Sequence, residues 1–437
     1  MRIAWASPID QRSAIGRDGL RVARTLALWG NSVRIISTDT VTGGKPLKTD
    51  FEVLDWRNTS ADILRRDFDI LVAAVGDNFH FHGGMFNLLG HIPTVGIFHD
   101  FYLYDLFNGW LWDDGRRPDD LRGRLHDHEV LAIYGPQLVG PGRSARSGDL
   151  DLAGIAESLP MTEWVARLCD GALAHSSFYM DRLLAACPGP VAEAAMPLAG
   201  RGIAPLGDQA QSRVRILTVG VMNPNKCVDL VIEAIGRSPA LCESVDYHLA
   251  GPIEPAEADR LTQLASSLGY KGLTIHGAVS DDVLNVQLEA SDIICCLRRP
   301  VLEGASGSAI EGLLAGRPLI VANAGFYADL PNHLVFKVPK TLDADALTGQ
   351  LLRLVQDPAL RRETGSAARS WAEGRFRLET YVLGLETLMR DTITAKAVIN
   401  VGQRFGRDLQ GLGISKDDPA VVAISATLSG LLVTQAG

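Results

Sequence analysis

The sequence predicts an α/β protein built from two doubly wound halves. Three observations predict it. Short apolar runs of strand length alternate with segments of helical period, the pattern of a parallel sheet with both faces covered. The rhythm stops in a polar, Gly- and Pro-containing run at 199–212 and then restarts. The chain, at 437 residues, is also longer than one hydrophobic core usually serves.

Residues 2–7 read as a buried strand. Asp18 is expected to cap a helix whose apolar positions Leu20, Ala23, Leu26 and Ala27 follow the helical period, and Gly30 stops it before a second strand at 33–36. Further buried strands are expected at 70–75 and 95–98. Residues 108–155 break the rhythm with Trp110, Trp112, paired charges and a Gly/Pro/Ser-rich stretch at 135–148. This segment is expected to be a long irregular insertion that lies over the active face or is mobile. After the run 171–176 and the linker, five strands are expected at 214–219, 247–250, 273–275, 292–297 and 318–321, with helical patterns between most of them. The domains drawn from this are 1–207, 208–380 and a helical extension 381–437 with helical patterns at 383–389 and 421–432. Two such halves leave a cleft between the carboxyl ends of their strands, where open α/β sheets bind ligands.

A formal net charge of -9 argues against a nucleic-acid partner, since duplex binding rests on a clustered excess of Lys and Arg. A local basic stripe, Arg17, Arg21 and Arg24, shares one helix face; a solvated face accounts for it more readily than docking to anionic lipid or substrate. Six cysteines lack any ligand-like spacing, which suits reduced core thiols and a cytosolic location. The N-terminus lacks a signal h-region and no stretch of eighteen apolar residues follows, so a soluble chain is expected, with peripheral contact at the inner face of a membrane left open.

Chemistry concentrates in two places. The first is the run Glu303-Gly304-Ala305-Ser306-Gly307-Ser308-Ala309-Ile310-Glu311, which leads from a buried strand through a small-residue turn into a helix. Its glycines admit close backbone approach, and residues 306–308 offer amides at a helix start, where a diphosphate is electrostatically welcome. Glu303 is expected before that helix and Glu311 in its first turn. The structural alternative is a Ser308-x-x-Glu311 capping box with Glu303 as an exposed loop acid. The second place is the loop from Gly220 through Asn225 and Lys226, directly after the first strand of the second half, where a lysine suits phosphate oxygens. It is not a Walker loop, and no Gly-x-Gly-x-x-Gly supports a dinucleotide site.

With these motifs goes a third, Gly277-Ala278-Val279-Ser280, and then Ser291-Asp292. In that order the chain resembles the family 4 retaining glycosyltransferases of the GT-B fold, over about residues 1 to 390 and most strongly over 214–330. The resemblance implies two Rossmann-like domains facing each other across a cleft, an N-terminal acceptor domain and a C-terminal nucleotide-sugar domain. It implies that Lys226 binds the donor diphosphate, with Gly220 and Asn225 in its loop. The backbone near Val279 would read the base, Glu303 would hold sugar hydroxyls and Glu311 the ribose. Gly304, Ala305, Ser306, Gly307 and Ser308 would meet the sugar and phosphates. In the first half, Gly16 resembles the family's Gly-containing loop, His99-Asp100 the active-site histidine beside the transferred sugar, and His175-Ser176 a strand end.

Two departures stand out: the family arginine is Val221, with Arg298 and Arg299 as candidate replacements, and the usual Phe-Gly is Ala305-Ser306. The resemblance implies a UDP- or GDP-linked sugar as co-substrate, no separate cofactor, no metal, and a glycan or lipid-linked acceptor in cell-surface polysaccharide assembly. Metal binding by His80, His82, Asp100, His126 and His128 is disfavoured for want of a diagnostic spacing. The rival readings are a non-catalytic nucleotide-sugar-binding subunit of the same fold and a GT-B epimerase or hydrolase.

Overall fold

A computed structural model of the chain describes all residues except 42, 148–151, 208–212, 415–417, 420 and 426–437, so part of the expected helical pattern at 421–432 lies outside the described residues. The chain forms two compact units. The first comprises Met1–Ala194, Leu302–Gly304 and Glu379–Gly437; the second comprises Ala195–Val301 and Ala305–Leu378.

The first unit holds a seven-stranded sheet of β1 (Arg2–Ser7), β2 (Ser32–Ser37), β3 (Val53–Asp55), β4 (Ile70–Val75), β5 (Thr94–Phe98), β6 (Gly171–Ala174) and β7 (Val191–Glu193), in the order β3-β2-β1-β4-β5-β6-β7. Every pairing is parallel. The second unit holds β8 (Val214–Val219), β9 (Val245–Ala250), β10 (Leu273–Gly277), β11 (Ile293–Cys296), β12 (Leu319–Ala322) and β13 (Val335–Val338), in the order β10-β9-β8-β11-β12-β13, again all parallel. The order reverses between β1 and β4 in one sheet and between β8 and β11 in the other. Ligands of open parallel sheets bind beside such reversals, because the flanking crossovers leave on opposite faces and leave a crevice.

Central strands are fully apolar, as helix-covered parallel sheets require: Ile70 to Val75 and Ile293 to Cys296 are buried throughout. Four strands escape the sequence pattern. β3 and β7 are three-residue edge strands, β6 is Gly-Ala-Leu-Ala with little β propensity, and β13 carries Lys337.

Two local expectations are corrected. The first helix, Ala14–Leu28, is capped by Ser13, whose hydroxyl accepts from the Gly16 amide at 3.1 Å; Asp18 lies a turn inside and pairs with Arg21 at 3.6 Å. The described residues of 108–155 are largely helical, not irregular, with helices Tyr104–Trp112, Asp119–Tyr134, Val139–Ser147 and Leu152–Ala156. The pattern hid them because Asp119–Tyr134 fully buries only His126 and Val130, and its other apolar residues, such as exposed Leu131, are interleaved with charges and do not form one clean apolar stripe. Pro118 precedes that helix and Gly135 (φ 85°) ends it.

The long helix Leu378–Gly411 belongs almost wholly to the first unit. Tyr381, Val382, Leu385, Leu388, Met389, Thr392, Ala395 and Ile399 form its buried face at helical spacing. Lys396 anchors it: its Nζ lies 2.7 and 2.8 Å from the two oxygens of buried Asp170. Asp170 is the residue before β6, and its Oδ2 also accepts from the Thr94 amide of β5 at 3.1 Å. Removing the cation strands a buried carboxylate, so Lys396→Met should cost roughly 3 kcal/mol. Denaturant unfolding checks this, and Lys396→Arg should recover most of the loss.

Candidate functional site

The reversal in the second sheet brings two loops together. β8 ends at Val219 and turns through Gly220 at φ 101°, a conformation that favours glycine. A Cβ there would lie 2.9 Å from the Lys226 Nζ. The following Pro224–Lys226 turn brings the lysine back, and its buried ammonium donates to the Val219 carbonyl at 2.6 Å. From the neighbouring strand, buried Arg298 donates to its adjoining Leu297 carbonyl at 2.7 Å and reaches the Ser308 hydroxyl at 3.4 Å. The loops are tied directly, the Arg299 amide donating to the Asn225 carbonyl at 2.9 Å. Val221, at the position of the family arginine, is 56% exposed.

The helix Gly307–Leu314 starts beside Arg298. Its cap is Ser306, whose hydroxyl accepts from the Ala309 amide at 3.4 Å. Ser308 is therefore the second helical residue, and the capping box of the structural alternative, Ser308 with Glu311, does not form. Glu311 lies in the second turn, not the first, and is held from outside the helix. Arg201 donates to its Oε1 from Nε at 2.8 Å and from Nη2 at 2.6 Å, and also contacts Asp281 and Asn285. Both bonds fall on Oε1, so Oε2 is the oxygen left over. Arg201 sits in the stretch the sequence offered only as a linker. Val279 lies half-buried after β10, just before Ser280, which caps the helix Asp281–Ala290.

In the first unit, Gly16 lies in a helix start, its amide already taken by Ser13. A Cβ there would lie 2.3 Å from the Pro8 carbonyl oxygen, so close packing accounts for this glycine. His99 follows β5, and its ring tautomer can be derived. His175 Nδ1 faces the Ala194 carbonyl at 3.2 Å, an acceptor only, so Nδ1 carries the proton. Burial pushes the His175 imidazole down to about 4, which leaves its Nε2 bare. That nitrogen, 3.2 Å away, accepts from His99 Nδ1–H. Burial, with the neighbouring His175, also lowers His99 well below the usual range, so its Nε2 is an unprotonated acceptor.

Glu303 and Gly304 are fixed within the first unit. Asp100 and Glu303 form an antiparallel bridge, the Gly304 amide donates to the His99 carbonyl at 2.8 Å, and Ser176 Oγ donates to the Gly304 carbonyl. A Cβ on Gly304 would sit 2.5 Å from the Tyr179 hydroxyl oxygen. Glu303 is thus a half-buried strand-like residue and not an exposed loop acid. Asp100 accepts the Asp77 amide at 2.9 Å, and Asp77 accepts the amides of Asp105 and Leu106 at 2.9 and 3.0 Å.

Two of the histidines considered for a metal have other partners: His82 faces the Ala74 carbonyl at 2.9 Å, and His126 the Tyr104 hydroxyl at 2.8 Å. Among the described residues no group of three or more His, Cys, Asp or Glu could hold a metal ion, and no helix is long and apolar enough to cross a membrane.

Residues 208–371 match the family model described as glycosyl transferases group 1. No curated protein matches the chain. Among solved structures, it is similar to a glycosyltransferase from Rickettsia africae ESF-5, at 16% identity and TM-score 0.61 over 90% of this chain and 98% of that one. It is similar also to sucrose-phosphate synthase from Thermosynechococcus elongatus, at 15% identity and TM-score 0.59 over 90% and 100%. HepE of Anabaena in complex with UDP and glucose is a third, at 13% identity and TM-score 0.58 over 88% and 98%. At these identities the likeness establishes the fold, which is GT-B.

The acids at the first reversal give a pH signature. Burial, helped by the Glu303 charge, raises the Asp100 carboxyl to about 7. Burial also raises Asp77 well above the usual range, with the charges of Asp105 and Asp100 adding to it. An unfolded aspartate titrates near about 3.9, so the native state binds these protons more tightly. The contribution of Asp100 to stability is therefore full below about pH 4 and is lost as pH rises through about 7, and that of Asp77 changes with pH in the same direction. Asp100→Asn keeps an acceptor for the Asp77 amide and removes this loss. Its melting temperature should exceed that of the wild type at pH 8 and match it at pH 4; thermal melts at the two pH values check this, and an equal difference at both would exclude the charge as its cause.

Proposed function

We propose that this chain, whose residues 208–371 match the glycosyl transferases group 1, transfers a sugar from a nucleotide-diphosphate donor to a glycan or glycolipid acceptor with retention of configuration. The observation that carries the reading is the cationic crevice at the second reversal. Buried Lys226 and Arg298 stand on adjacent strand ends beside the start of the helix Gly307–Leu314, where Ser306 takes the Ala309 and Ile310 amides and those of Gly307 and Ser308 have no partner within the helix. Cations and helix amides converging there suit a diphosphate, and they can stabilise the charge that grows as it departs.

In this reading Arg298 supplies the cationic contact that Val221 does not. Glu311, held through Oε1 by Arg201, offers Oε2 to ribose hydroxyls. Glu303 holds hydroxyls of the transferred sugar, and His99 accepts a further hydroxyl at Nε2. The bond from the anomeric carbon to the diphosphate oxygen breaks as the acceptor oxygen bonds to the same face, and the acceptor proton passes to the leaving diphosphate. Small Ala305 and Ser306 stand where the family has Phe-Gly, and this difference bears on which sugar is transferred. The likeness to HepE in complex with UDP and glucose supports a nucleotide-sugar donor. The action is read as peripheral and cytoplasmic, serving surface polysaccharide assembly.

Thermal melting against UDP-, GDP- and ADP-sugars, followed by nucleotide release with acceptors present, tests this. A donor at about one hundred times its Kd should stabilise the chain by about 2.7 kcal/mol. Lys226→Ala should lower kcat by about a hundredfold or more. Absence of stabilisation by any nucleotide sugar would overturn the reading. Binding without transfer would instead favour the non-catalytic subunit that the loss of the arginine at Val221 suggests.

A further inference from the structure

The first unit contains a cavity of about 780 Å³ that the donor chemistry does not use. Its size falls within the roughly 300–1,000 Å³ of small-molecule sites. One wall is a face of the helix Tyr104–Trp112: Asp105, Asn108 and Trp112 recur at helical spacing and line the cavity, while Leu106, Phe107 and Leu111 of the same helix are buried in the core. The facing wall is the loop after β4, with Asp77 and Phe79, and Asp100 completes the lining. Gly109 lets the two walls meet, since a Cβ there would lie 2.3 Å from Phe79.

The polar groups lining this cavity are only partly spent. Asp77 takes both its amide bonds on Oδ1, and Asp100 takes its one on Oδ2, which leaves Asp77 Oδ2 and Asp100 Oδ1 uncommitted. The side chains of Asp105 and Asn108 make no hydrogen bond within the described protein. Trp112 is 53% exposed, and the Arg122 guanidinium stacks on its ring at 4.2 Å. A row of hydrogen-bond acceptors, half-buried at Asp77, Asp100 and Asn108 and exposed at Asp105, lies beside two aromatic rings and matches a ligand that has many hydroxyl donors and an apolar ring face. No lysine or arginine lines the cavity, so a diphosphate does not fit it.

We infer that this cavity is a saccharide subsite for the acceptor, in which Trp112 and Phe79 pack on the sugar ring and Asp77, Asp100, Asp105 and Asn108 take its hydroxyls. The role as acceptor rests on the glycosyl-transfer reading; the binding of a neutral sugar does not.

The test is saturation-transfer NMR on the full chain without nucleotide. The probes are the methyl glycosides of glucose, galactose, mannose and N-acetylglucosamine, with maltose and lactose. At least one should receive saturation on its ring protons, and Trp112→Ala and Asn108→Ala should each weaken that signal by about fivefold with unchanged melting temperature. Lys226→Ala should retain it. No saturation of any probe, or a signal unchanged in both cavity variants, overturns the inference. Nucleotide-sugar stabilisation without sugar binding would sink this site and leave the proposed function standing; sugar binding without nucleotide binding would do the reverse.

Discussion

An aspartate at the entry of a strand fixes the register at both places where the strand order reverses. Asp69, just before β4, donates its amide to the Arg2 carbonyl at 2.8 Å and accepts the Arg2 amide on its carboxylate at 2.7 Å. Asp292, just before β11, does the same with Arg215 of β8, both bonds at 2.8 Å. Parallel strands have no hairpin to set their alignment, and a slip of one residue would turn every side chain to the opposite face. With entries stitched in this way, the exits of β1 and β4, and of β8 and β11, are also in register. The functional loops begin at those exits. Asp170 repeats the device between β5 and β6, and there Lys396 brings the late helix onto the same carboxylate.

The two strand-order reversals gather different chemistry, cations at one and acids at the other. At the second reversal, Lys226 and Arg298 are buried beside a helix start, three sources of positive potential. Like charges gathered this way raise the local energy until an anion arrives, and strand-end carbonyls offset part of that cost through the bonds to Val219 and Leu297. At the first reversal, Asp77, Asp100 and Asp105 bring three acids together, and burial raises all three carboxyls, which favours their neutral, proton-bearing form.

Much of this was legible in the sequence, and what was not has physical causes. The central strands declared themselves because helix-covered parallel strands are continuously apolar. Edge strands such as Val53–Asp55 are too short and too exposed to do so. The loop of Lys226 and the turn at 303–311 stood out through their position after apolar runs. Arg201 did not, because a residue that acts by reaching across 110 positions to Glu311 leaves no local pattern. The cap stayed open between readings because Ser306 and Ser308 both precede a helix-compatible run, and only the backbone at Ser306 (φ -107°, ψ 108°) distinguishes the capping residue from a helical one. The Asp105, Asn108 and Trp112 face was spelled out at helical spacing, but it fell where the sequence suggested an insertion.

The turn at 303–311 reads as one motif and is built as two. Leu302–Gly304 belong to the first unit and Ala305 onward to the second. The Leu302 carbonyl accepts the amides of Phe101 and Tyr102 at 2.8 and 2.9 Å, so the chain is held on both sides of Glu303. The two glycines of the motif consequently have different reasons to be glycine. Gly304 lies under the Tyr179 hydroxyl and the carbonyls of Phe98 and His99, where any Cβ collides within 3.0 Å. Gly307 has only the Met196 methyl within range, at 3.9 Å, so packing does not require it. Gly304 is needed to seat Glu303 on the first unit, whereas the space over Gly307 at the helix start is open to a ligand. Each unit therefore positions one of the two glutamates, Glu303 through the strand-end carbonyls of β5 and Glu311 through Arg201.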